Sequence, residues 1–102
     1  MPGYVSGSES ADVEEYRKAL THPIAEDGFA RDFEALQKAD VVLLVLPCGR
    51  SAHLELGWAV GAGKRTIILL DGPVVVPELM YKMVDHLVTD YMELLNALGV
   101  ED

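Results

Sequence analysis

The sequence has little cysteine, little positive charge and no long apolar run. Its single cysteine, Cys48, cannot form an internal disulfide. It has 8 lysines and arginines against 17 acidic residues, a formal net charge of −9. The basic residues are scattered and form no stripe, so a nucleic-acid polymer is not an expected partner. The longest apolar stretches, "VVLLVLPC" and "TIILL", fall far short of the roughly 20 residues that a bilayer-spanning helix needs. No membrane partner is expected. No charged n-region followed by an apolar h-region opens the chain. With the lone cysteine, this points to a reducing cytoplasm. The three histidines, at 22, 53 and 86, lack metal-ligand spacing, so neither a metal nor a cofactor is expected.

Two fragments resemble known motifs and fail on inspection. "GAGK" at 61–64 lacks the rest of a phosphate loop: Trp58 stands where the first glycine belongs and Arg65 where Ser or Thr belongs. It also leads from helix to strand, the reverse of a phosphate loop. "HLE" at 53–55 has the H-x-E of zinc deaminases but no C-x-x-C to accompany it. Cys48 lies near a helix start and beside Arg50, a setting in which thiols become reactive. No partner base is evident in the sequence, so Cys48 reads as a packing residue.

Half of the 102 residues are apolar and a quarter charged, which is a globular composition. The length suggests one domain, residues 1–102. Residues 1–9, "MPGYVSGSE", read as irregular. Ser10 or Asp12 can cap a first helix, with Asp12 and Glu15 at capping-box spacing. "THP" marks a break, with Pro23 near the start of the next turn. "EDG" reads as another break. Phe29, Phe33 and Leu36 then fall at helical spacing over 28–38.

Val41–Leu46 is a continuous apolar run, the signature of a strand buried on both faces. Pro47–Arg50 is a loop, Ser51 a candidate N-cap, and 52–62 a helix. Gly57 and Gly61, four residues apart, would let that helix approach a sheet closely. Gly63 is suited to end it. Thr66–Leu70 reads as a second buried strand and Asp71-Gly72-Pro73 as a turn. Pro77 opens a short helix through Met83, and 85–88 is a short third strand. Asp90 and Glu93 have capping-box spacing before a last helix that stops near Gly99. Helices alternating with buried strands imply a parallel sheet. With about three strands, the Val41–Leu46 strand would be left at an edge.

Ligands of open parallel sheets bind beyond the carboxyl ends of the strands. Three features converge there: the loop ending in Gly49 and Arg50, the helix start with Ser51 and Glu55 one turn apart, and Asp71 after the neighbouring strand. Glu55 is then either a partner of the helix dipole or the working group of a site.

"ADVVLLVLPCGRSAHLELGWAVGAGKRTIILL", residues 39–70, resembles the central portion of the nucleoside 2-deoxyribosyltransferase family. That pattern is Ala39-Asp40 opening an apolar strand, Gly49 in a loop, Glu55-Leu56-Gly57-Trp58-Ala59 on a helix, then Gly63-Lys64 and a strand. The resemblance implies an α/β fold: a truncated flavodoxin- or Rossmann-like three-layer sandwich with a small parallel sheet flanked by helices. It also implies that Glu55 is a nucleophile. The related deoxynucleoside-monophosphate N-glycosidases share the motif and use serines to hold a phosphate, for which Ser51 is the nearest candidate. Gly49, Arg50 and His53 join Ser51 as expected substrate-binding residues. Asp71 is the expected acid for the leaving base. The family's usual Asp-Ser-Gly before the helix is replaced here by Arg50-Ser51-Ala52-His53. Its opening strand and Gly-containing loop have no counterpart in residues 1–12, so the chain reads as the C-terminal two-thirds of the fold.

The expected function is therefore processing of the N-glycosidic bond of a nucleoside or nucleotide, by deoxyribosyl transfer or hydrolysis. The alternatives are a non-catalytic module that binds a nucleotide-like ligand or a protein, and a TIR-like NAD glycohydrolase. A homo-oligomer, most simply a dimer, is expected, with Met80 and Tyr81 lent to a neighbouring subunit's site.

Overall fold

The computed structural model describes residues 8–72 and 78–100. The chain divides into two compact units, one ending at Gln37 and the other beginning at Lys38. The first unit is helical, with α1 (Ser8–Leu20) and α2 (Pro23–Lys38). Ser10 and Asp12, expected as caps, lie inside α1. The part of the irregular stretch before Ser8 falls outside the described residues.

Helix α2 starts at Pro23, five residues before the expected start, and runs through Gly28. Three local effects explain this. Pro23 at the first helical position has its φ already set. His22 Nδ1 accepts the Ile24 N–H at 3.1 Å, satisfying one of the free N-terminal donors. Glu26 in the first turn complements the helix dipole. Against these, one glycine costs only about 1 kcal/mol. Phe29 and Phe33 stack one turn apart, with ring centroids 5.5 Å from each other.

The second unit is a small α/β sandwich. Its strands are β1 (Val41–Leu46), β2 (Arg65–Leu70) and β3 (His86–Val88). All are parallel, in the order β1-β2-β3. Helix α3 (Arg50–Gly61) joins β1 to β2, a 3₁₀ turn (Leu79–Met83) precedes β3, and α4 (Tyr91–Leu98) follows it. The segment between Gly72 and Glu78, including Pro73 and Pro77, lies outside the described residues.

The strands step in one direction across the sheet. Consecutive crossovers of the same hand must then pass over the same face. That face carries Leu44 and Ile68, which pack with Leu56 of α3 and, from the second crossover, Tyr81 and Val84. The other face carries Ile67 and Val88, packed against Leu94 and Ala97 of α4. Successive residues of β2 thus feed opposite cores, and Ile67 and Ile68 are both fully buried.

β1 behaves differently from its sequence. Only Leu44 is buried, whereas Leu43 and Val45 are 40% and 43% exposed. The cause is position in the sheet. β1 is an edge strand, and α4, eight residues and therefore about 12 Å long, lies over β2 and β3. The expectation of burial on both faces is met by β2 instead.

Local chemistry sets the element ends. Gly63 at φ +79° closes α3: its N–H donates to Val60 O, and the Lys64 N–H donates to Ala59 O, a Schellman arrangement. Gly99 at φ +81° closes α4 in the same way, through Asn96 O and Leu95 O. Asp90 Oδ1 accepts the Glu93 N–H at 2.8 Å, and Glu93 Oε1 accepts from the Thr89 N–H and hydroxyl. Thr66, almost fully buried, is satisfied by Asp85, whose Oδ2 accepts the Thr66 N–H at 2.9 Å. The Arg65 guanidinium donates to the Ala97 carbonyl, tying the start of β2 to the end of α4.

Candidate functional site

Helix α3 presents two flanks, and the polar residues of the site divide between them. Leu56 and Ala59 face the sheet and are buried. At about 100° per residue, His53, Gly57 and Val60 turn towards the 3₁₀ turn on one side. Glu55 lies about 160° around the helix from His53. It is exposed and makes no hydrogen bond or ion pair among the described residues.

The start of α3 differs from expectation. Gly49 takes the N-cap position in extended geometry, without a side-chain cap, so Ser51 is the second residue of the helix and caps nothing. A glycine cap costs only a few tenths of a kcal/mol relative to a serine or aspartate, which is why the sequence pattern misled. Arg50 and Ser51 are exposed, as is Asp71 beyond β2. Leu46 pairs with Leu70 in the sheet register, so the loop before α3 and Asp71 leave the sheet level with each other. Gly57 and Gly61 are exposed, and a Cβ at either meets nothing within 4 Å. The close approach to the sheet is made by Ala59, which is fully buried, and not by the glycines.

On the His53 flank the residues are connected. His53 Nδ1 is 2.9 Å from Gly49 O. A carbonyl only accepts, so Nδ1 carries a proton, and in the neutral ring Nε2 is then the acceptor. The Tyr81 hydroxyl then donates to Nε2 across 2.8 Å. The two rings stack, with centroids 5.8 Å apart and 18° between planes. Cys48 Sγ lies 3.6 Å from Nδ1, so the Nδ1–H is shared between carbonyl and sulfur. Burial pushes the Tyr81 phenol above its ordinary pKa, and the nearby Cys48 sulfur and Glu78 carboxylate add to the shift. Tyr81 therefore stays protonated, and a donor, at neutral pH.

A cavity of about 320 Å³ opens between α3 and the 3₁₀ turn, walled mainly by apolar side chains, with His53, Tyr81 and Glu78 at its polar positions. Met80 and Tyr81, expected to be lent to a neighbour, line this cavity of their own chain. Of the residues expected in the site, His53, Tyr81 and Met80 are brought together here, with Gly49 reached only through its carbonyl on His53, whereas Gly49, Glu55, Arg50, Ser51 and Asp71 are not among the lining.

Sequence reasoning missed two members. Cys48 has no evident partner base in the sequence, and in the fold His53 is beside it. Glu78, whose carboxylate accepts the Met80 N–H at 3.0 Å and caps the turn, carries the signal of an acid immediately before a short helix.

Among the described residues, no cluster of three or more His, Cys, Asp and Glu side chains is arranged to hold a metal. No helix there is long and apolar enough to cross a membrane. No family model, curated protein or solved structure matches the chain.

Proposed function

We propose that the chain processes the N-glycosidic bond of a nucleoside or nucleotide, with Glu55 as nucleophile and Asp71 as acid and base. The observation that carries this reading is the level exit of β1 and β2, with Leu46 paired to Leu70. Neighbouring strands are about 4.8 Å apart, so Asp71 and the loop leading into α3 share the carboxyl edge of the sheet, where parallel sheets bind ligands. The exposed Glu55 carboxylate has no structural partner among the described residues, which leaves it available to react.

In the reaction, a Glu55 oxygen bonds to the anomeric carbon as the C–N bond breaks. The departing base takes a proton from Asp71. Water or a second base then attacks the same carbon, the ester bond breaks, and Asp71 takes the proton of the attacking group. Two displacements give net retention.

The test is incubation with deoxynucleosides, their monophosphates and NAD, read by chromatography. Free base should appear with the wild type and not with Glu55→Ala. Turnover that survives Glu55→Ala removes Glu55 from the reaction. Base release from NAD alone favours a TIR-like glycohydrolase.

A second reading, a ligand-binding module without catalysis, is favoured by one observation: the cavity of α3 opens on the flank away from Glu55. Absence of turnover across the whole panel supports it.

The same chain is proposed to form a homo-oligomer, most simply a dimer. Support comes from β1, an edge strand of apolar residues with Leu43 and Val45 exposed, a surface that proteins normally cover. Light scattering at micromolar concentration should give twice the monomer mass; a stable monomer rejects the proposal.

A further inference from the structure

We infer that the cavity between α3 and the 3₁₀ turn binds a small planar aromatic ring carrying an exocyclic amino or amidinium group. The cavity exists for a topological reason. Both crossovers pass over one face of the sheet, so α3 and the turn lie side by side. Gly57 contributes no side chain to the seam, and a Cβ there meets nothing within 4 Å.

With the His53 imidazole neutral, the polar end of this cavity only accepts. The Nδ1 proton of His53 goes to Gly49 O. The Tyr81 proton goes to His53 Nε2. The imidazole and phenol therefore have no proton left for a ligand, while the phenol oxygen keeps lone-pair capacity. Glu78 uses one carboxylate oxygen to accept the Met80 N–H; the other remains. A ligand must bring its own N–H donors to such an end, and the Glu78 charge favours a cation over an anion. The net charge of −9 acts in the same direction.

The rest of the cavity selects the body of the ligand. Leu56, Val60 and Val84 form apolar walls, and Met80 and Met83 bring two polarizable sulfurs, which make favourable contacts with aromatic rings. About 320 Å³ is at the small end of ligand pockets, which span about 300–1,000 Å³. It suits a single substituted ring or a fused pair, and excludes a dinucleotide. This site stands apart from the Glu55 chemistry proposed above and does not depend on it.

The experiment is titration calorimetry of the full chain with benzamidine, and with benzoate as its anionic counterpart. Benzamidine should bind and benzoate should not. Glu78→Gln, which keeps a capping acceptor but removes the charge, should weaken benzamidine about fivefold, the effect of a partly exposed ion pair. Gly57→Leu fills the seam with a better helix former, so it should abolish binding while the denaturation midpoint holds or rises. Glu55→Gln should leave benzamidine affinity unchanged, so failure here and failure of the glycosidic reading are read separately. Equal binding of benzoate, no binding of benzamidine, or benzamidine affinity that survives both Gly57→Leu and Glu78→Gln overturns the inference.

Discussion

The ring nitrogen Nε2 of His53 lies 2.8 Å from the hydroxyl oxygen of Tyr81, 28 residues further along the chain. This contact joins the first turns of α3 to the 3₁₀ turn. Tyr81→Phe removes the hydroxyl and keeps the ring. It should lower stability by about 1 kcal/mol, the net worth of one such hydrogen bond. A double-mutant cycle with His53→Ala, followed by urea denaturation, should give a coupling of about 0.5–1.5 kcal/mol. Strict additivity of the two changes would show that the pair contributes nothing.

The raised pKa of Tyr81 has a defined sign. An acid whose pKa is higher in the folded state binds its proton more tightly there. Its contribution to stability is complete below the unfolded value, about 10 for tyrosine, and is lost as pH rises through the folded value. The difference in phenolate absorbance between wild type and Tyr81→Phe should therefore develop above about pH 10, and unfolding by urea should become easier over that same alkaline range. A Tyr81 titration at or below the unfolded value contradicts the burial argument.

Asp90 caps α4, accepting the Glu93 N–H at 2.8 Å. Asp90→Ala should destabilise by about 1 kcal/mol and Asp90→Asn by much less. Because Leu94 and Ala97 of α4 are core residues, the loss should appear in the global denaturation midpoint. A midpoint unchanged in Asp90→Ala would mean that α4 frays without cost to the core.

The glycines of α3 should respond in opposite directions. Gly61 has open space around a Cβ and no positive φ, so Gly61→Ala should stabilise by about 0.5–1 kcal/mol. Gly63, two residues on, has φ +79°, and Gly63→Ala should destabilise by about 1–2 kcal/mol. Thermal melts of the two variants check the pair, and shifts of the same sign would contradict the assigned roles.

What the sequence made legible was local. Gly63, Gly99 and the Asp90–Glu93 pair act on residues three to five positions away, and each does so as its spacing suggests. The run Thr66–Leu70 reads as a doubly buried strand and is one. Val41–Leu46 carries the same pattern and is not, because burial there depends on strand order and on the length of α4, which no window over 41–46 contains. Ser51 outranks Gly49 as a cap by propensity, yet the small free-energy difference between caps let the helix begin two residues earlier. The link from His53 to Tyr81 is long-range and pairs two residue types with no preferred spacing. Glu55 and Asp71 are both exposed, and Asp71 directly follows β2. The division of α3 into two flanks became visible only once Leu56 was seen to face the sheet.

The order β1-β2-β3 also sets the sequence in which the backbone gives up its protection. Ile67–Leu69 of the central strand are paired on both sides, so exchange of their amides with solvent requires the whole second unit to open. The outer side of β1 has no pairing strand among the described residues, and β3 contributes only three residues. Slow-exchanging amides therefore concentrate at Ile67–Leu69, a kinetic spine through the middle of the fold, while both margins loosen first.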